Sequence, residues 1–170
     1  SGYVPLGGYA VSDAFMAEIS GENSHGNCYS NGYTWSANPV SCAAAIASWD
    51  IIEREELLAH VRDVGPYFQR QLRTLESHPL VGVVRGTGLM AAVEMRLENS
   101  AIGEELLAQD YALGEMVDSF CHDLGLLVRP LINVCIMSPP LIITRSQVDD
   151  LVDALRQALD LTQNALQEAG

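Results

Sequence analysis

Residues 81–95 (VGVVRGTGLMAAVEM) limit the fold more than any other stretch of the chain. They are apolar, partly β-branched and interrupted by Gly86 and Gly88, so they read as one or two buried strands with a bend. Helical patterns stand on both sides. Upstream, Leu57, Leu58, Val61, Val64, Phe68, Leu72 and Leu75 recur every three or four residues and make one apolar stripe. Gly65-Pro66 is a candidate kink or break in it, and His78-Pro79 ends it. Downstream, Leu113, Met116, Val117, Phe120, Cys121 and Leu124 mark another helix, with Gly125 as its C-cap. Residues 126–128 and 135–137 read as short strands, and Pro139-Pro140 as an extended turn. Thr144 and Gln147 form a capping box ahead of a last helix bearing Val148, Leu151, Val152, Leu155 and Leu159 on one face. From Pro39 onward this is an α+β pattern, with helices on one side of a small sheet.

The first part of the chain reads differently. Residues 6–11 suggest a short buried strand. Ser12-Asp13 offers an N-cap for a helix over residues 14–19. Residues 21–32 (GENSHGNCYSNG) form a long polar loop. Asn38-Pro39 then starts a helix that runs through an Ala-rich segment toward Glu55. Its alanines leave room for another helix or a partner subunit.

Of 170 residues, 48% are hydrophobic and 18% charged, which supports a buried core and excludes wholesale disorder. Acidic residues outnumber basic ones 22 to 9, giving a net charge of −13. That field repels nucleic-acid backbones and anionic membranes. No apolar run reaches the roughly 20 residues needed to span a bilayer. All nine basic residues are arginines, so no lysine nucleophile or Schiff base can come from this chain alone. The Ser1 end has no signal-peptide shape and reads like the middle of a longer polypeptide. Four cysteines and four histidines lack ligand spacing. No metal site is therefore expected, and a reduced, cytoplasmic protein is the economical reading.

Single motifs are ambiguous. Residues 86–91 match G-x-G-x-x-A, but more strand follows the glycines, not the helix a dinucleotide site needs. A bend inside a hairpin is the better reading. The His residues have no nucleophile nearby in sequence. The acidic clusters are solvated helix faces, and Glu104-Glu105 suits a helix N-terminus. Arg129 ends an apolar run before Pro130. It is either a cap on a sheet edge or the rim of a pocket, offering a forked donor to a carboxylate. Thr34, flanked by aromatics ahead of a helix, suits phosphate binding, although a structural threonine before a cap explains it more simply.

Taken in order, four blocks resemble class III pyridoxal-phosphate aminotransferases of the ω-transaminase group, with matching stretches from Ser1 to about residue 159. Residues 1–8 (SGYVPLGG) are similar to the glycine-rich segment after the family's cofactor lysine. Residues 32–39 (GYTWSANP) resemble its G-[YF]-T-[YF]-S-G-H-P block, and residues 40–55 the helix after it. Residues 84–94 resemble its R-G-x-G-L-M strand. Residues 125–145 (GLLVRPLINVCIMSPPLIITR) resemble its G-L-x-x-R-P-L…S-P-P-L-I-I-T block. Ala37-Asn38 departs from the family's G-H.

The resemblance implies an α/β, fold-type-I transferase. Residues 1–35 would end the large cofactor-binding domain, and residues 36–170 would form the small C-terminal α+β domain, with the helix after Pro39 bridging them. It implies amino-group transfer between an amine or ω-amino acid and an oxo acid such as pyruvate, in a homodimer that shares its active sites. Thr34 matches the threonine that binds the cofactor phosphate in the other subunit's site. Arg129 matches the mobile arginine that pairs with the substrate carboxylate, and Tyr3 should lie near the substrate pocket. The Schiff-base lysine is expected just before Ser1, so no catalytic residue falls in this chain. The alternatives are another class III reaction (aminomutase, decarboxylating transaminase or racemase) or a non-catalytic dimerisation or binding module.

Overall fold

The structure, a computed structural model, describes residues 3–20, 32–97 and 101–169. It divides into two compact units, Ser1–Glu55 and Glu56–Gly170.

Among the described residues, the first unit holds two α-helices. Helix α1 spans Asp13–Ser20. Ser12 caps it by accepting from the Phe15 N–H at 3.2 Å. Helix α2 spans Pro39–Arg54 and is capped by Asn38, whose Oδ1 accepts from the N–H groups of Val40 at 3.0 Å and Ser41 at 3.3 Å. The strand expected over residues 6–11 does not form. That segment is irregular and exposed, and no strand among the described residues pairs with it. The loop expected over residues 21–32 lies outside the described residues, except for Gly32.

The second unit begins at Glu56, whose left-handed backbone (φ 48°) ends the run of α2 before α3. Helix α3 spans Leu57–Arg73 without a break at Pro66. A Cβ at Gly65 would come within 3.1 Å of the Gly88 Cα, so Gly65 serves close packing here and not a kink. A short 3-10 turn (Thr74–Ser77) leads to β1 (Val81–Thr87) and β2 (Met90–Met95). Helix α4 spans Gly103–Asp123, followed by β3 (Arg129–Leu131), β4 (Val134–Met137) and α5 (Arg145–Ala169). The sheet is antiparallel in the order β1-β2-β4-β3.

Residues 81–95 thus form a hairpin. Gly88 (φ 54°) turns it, and the buried Gln69 of α3 donates to the carbonyls of Gly88 at 2.9 Å and Met90 at 3.2 Å. The strand expected over residues 126–128 begins instead at Arg129. Those residues carry the chain away from α4 through a Schellman close: the Gly125 N–H reaches the His122 carbonyl at 3.0 Å, and the Leu126 N–H the Cys121 carbonyl at 2.8 Å.

Sheet alternation sets the core. Val93, Met95, Cys135 and Met137 point inward against Phe68, Leu72, Val117, Val148, Leu155 and Leu159 of the three helices, all buried. Burial pushes the Cys121 and Cys135 thiols up to about 12, so they pack as protonated small hydrophobes. Three polar ties fasten α3 to the segment around α5. The Tyr67 hydroxyl donates to Asp149 at 2.6 Å, a bond that raises its pKa. Arg145 pairs with Asp63 at 3.0 Å. The His60 ring lies 2.8 Å from the Ile143 carbonyl. The Thr144–Gln147 box caps α5 in both directions, at 3.0 and 3.2 Å. No helix among the described residues is long and apolar enough to cross a membrane.

Candidate active-site residues

Thr34 sits on a turn built by its neighbours. The Ser36 N–H donates to the Tyr33 carbonyl and the Tyr33 N–H to the Ser36 hydroxyl, both at 2.9 Å. The turn is closed from both sides, and Thr34 and Trp35 occupy its corners. Thr34 is exposed, and its hydroxyl has no hydrogen-bond partner among the described residues. In sequence, Thr34 stands just ahead of the start of α2. Asn38 already occupies N–H groups there, so any anion beside Thr34 is met by the turn and not by a bare helix end. Ala37, where the resembling block carries glycine, adopts φ 55°. Glycine takes that conformation freely, whereas Ala37 is strained by about 1 kcal/mol.

Tyr3 lies in the same unit, 96% exposed. With Val4 and Leu6 it borders a groove of about 130 Å³ along Ser41, Ala44 and Ser48 of α2.

Arg129 lies in the second unit. It pairs across β4 with Ile136, Ile136 with Ala92 of β2, and Ala92 with Arg85 of β1. Residues opposite one another in an antiparallel ladder share a face. This row therefore projects from the side of the sheet away from the helices. The strand spacing separates its two arginines by roughly 14 Å. A hollow of about 570 Å³ is lined by Arg85, Gly86, Met90, Ala92, Leu131 and Ile136. Arg85 is tied to Glu94. Arg129 is exposed and has no ion pair among the described residues, in a chain where acidic groups outnumber basic ones more than two to one. Of its two sequence readings, the edge-strand position fits the first, and an exposed guanidinium without an ion pair among the described residues leaves the second open.

The structure thus brings Thr34 and Tyr3 into one unit and Arg129 into the other. The shared row of Arg85, Ala92, Ile136 and Arg129 was not legible beforehand, because register depends on which strands pair. No group of three or more His, Cys, Asp or Glu side chains is placed to hold a metal among the described residues.

Comparison with known proteins agrees along nearly the whole chain. The family model for Aminotransferase class-III matches residues 1–159. The putrescine–pyruvate aminotransferase of Pseudomonas aeruginosa is 35% identical over 98% of this chain. A probable gamma-aminobutyrate transaminase 4 of Oryza sativa subsp. japonica is 34% identical over 99%. Each match takes in 35% of the relative, so the chain spans about a third of the length of the curated relatives it matches. Among solved structures, a transaminase with L-alanine superposes with a TM-score of 0.81, at 34% identity, over 92% of this chain and 36% of that one. An (S)-enantioselective ω-transaminase from Thermomicrobium roseum gives 0.79, at 32% identity, over 95% of this chain and 35% of that one. These are fold-type-I, pyridoxal-phosphate-dependent enzymes, and with the match running through both units, the chain belongs to the class-III aminotransferase family.

Proposed function

We propose that this chain is the C-terminal part of an aminotransferase that moves an amino group between an amine or ω-amino acid and an oxo acid such as pyruvate. The observation that carries the reading is Arg129, an exposed guanidinium without an ion pair among the described residues, on the sheet face away from the helices of its unit. Arginine is permanently charged and forked, which suits a substrate carboxylate and also a state without one.

The residues present fit the phosphate end of pyridoxal phosphate. Thr34 offers an exposed hydroxyl, unpartnered among the described residues, at a turn that its neighbours have already closed. When bound, the cofactor supplies an electron sink for amino-group transfer. Thr34 donates a hydrogen bond to its phosphate, in the active site of the partner subunit, so the working unit is a homodimer. Tyr3 borders the substrate pocket. We assign residues 1–35 to the large domain and residues 36–170 to the small one, with α2 bridging them. The lysine and the groups that hold the cofactor ring belong to the rest of the enzyme. Cys42, Cys121 and Cys135 are free thiols, which suits a reducing compartment such as the cytoplasm.

The test is an amino-transfer assay of the full-length holoenzyme with putrescine or 4-aminobutyrate as donor and pyruvate as acceptor. Formation of alanine, dependent on added cofactor, is expected. Cofactor binding without alanine from either donor would contradict the assignment.

A further inference from the structure

The turn joining β3 to β4 is held in a conformation its sequence disfavours. Ile132 has φ 59°, a left-handed backbone in which a β-branched side chain crowds the chain around it. Tight hairpin turns with a positive φ usually place glycine or asparagine there. Here Asn133 comes one position later, and its φ is not positive.

Two neighbours hold the turn from opposite sides. The Asn133 side-chain amide donates to the Met95 carbonyl at 2.7 Å, and the Met95 N–H donates to the Asn133 carbonyl at 2.8 Å. Met95 is fully buried at the end of β2. On the other side, a Cβ at the buried Gly114 of α4 would overlap the Ile132 carbonyl oxygen, so only glycine lets the turn and the helix meet this closely. A strained residue persists only where its surroundings over-determine it.

The strand controlled by this turn is β3. It has three residues, it lies at the sheet edge, and its middle residue is Pro130, which has no N–H to give the ladder. Such a strand specifies its own register weakly. A slip of one residue would turn Arg129 from the uncovered face toward the helices.

We propose that Asn133 and Gly114 are positioning residues for Arg129. By clamping the Ile132 turn, they fix the register of β3 so that the guanidinium emerges beside Ile136 on the uncovered face. The backbone is held while the side chain stays free to turn. This rests on the reading of Arg129 as the carboxylate-binding residue.

The test uses the full-length holoenzyme and calorimetric titration with propionate, a carboxylate with neither amine nor oxo group. Asn133→Ala should weaken propionate binding about tenfold, the loss of a well-placed charge-assisted contact. It should raise KM for pyruvate by a similar factor and leave KM for an amine without a carboxylate unchanged. Ile132→Gly added to Asn133→Ala should recover Tm by relieving the turn, yet leave propionate weakly bound. Affinity that returns together with Tm would overturn the proposal, because stability alone would then explain the loss. Unchanged affinity in Asn133→Ala, with binding lost in Arg129→Ala, would overturn the clamp and keep the arginine. Propionate bound normally by Arg129→Ala would remove the carboxylate reading and the clamp with it.

Discussion

Thr34 illustrates how one side chain becomes available for chemistry. Its neighbours spend their hydrogen bonds on each other. Ser36 and Tyr33 close the turn at 2.9 Å in both directions, and Asn38 satisfies the helix that follows. Among the described residues, the Thr34 hydroxyl is left over. A threonine needed only for folding would more often be bonded to its own backbone or buried. Thr34→Ala in the full-length enzyme should therefore leave the unfolding free energy of the apoprotein within about 0.5 kcal/mol of the parent. Cofactor retention should weaken, seen as faster loss of the bound yellow absorbance on dialysis. Retention equal to the parent would remove Thr34 from the phosphate site. Ile132 makes the complementary case. It carries backbone strain of about 1–3 kcal/mol, and the surrounding contacts with Met95 and Gly114 maintain it.

Helix ends and helix faces were the most readable elements, because both depend on residues close in sequence. Asn38, Ser12, Thr144 with Gln147, and Gly125 each cap the helix end expected of them. The face of α5 is buried or half-buried as its spacing predicts, and so is the stripe on α3 apart from Leu58, which is 61% exposed. Asn38→Ala should accordingly lower stability by about 1 kcal/mol, measured as a drop in Tm. A Tm equal to the parent would mean that the cap is dispensable. Strands were harder to read, because pairing partners lie far apart in sequence. The apolar run at residues 126–128 is exit from a helix, and the true strand starts at the arginine. Residues 6–11 have strand-like composition but no partner to pair with among the described residues. In β1 a register shift between Val81 and Val83 breaks the simple inward-outward alternation, so which valines are buried could not be counted off. The candidate residues themselves were legible through their resemblance to a family. What sequence could not supply was that Arg129 shares a face with Ile136, Ala92 and Arg85, or that a glycine on α4 shapes its turn.

The chain is acidic, and within its second unit the sheet is packed on one side. Three helices fill one face, and the other keeps an apolar hollow with an arginine at each end of one row. Arg85 is neutralised by Glu94, whereas Arg129 has no ion pair among the described residues. The central claim is that this charge takes up a substrate carboxylate. It is tested most directly by steady-state kinetics of full-length Arg129→Ala with pyruvate. A lost charge-assisted pair predicts kcat/KM for pyruvate reduced by roughly ten- to a hundredfold, with cofactor content unchanged and turnover of a carboxylate-free amine donor preserved. A kcat/KM for pyruvate equal to that of the parent enzyme would contradict the account.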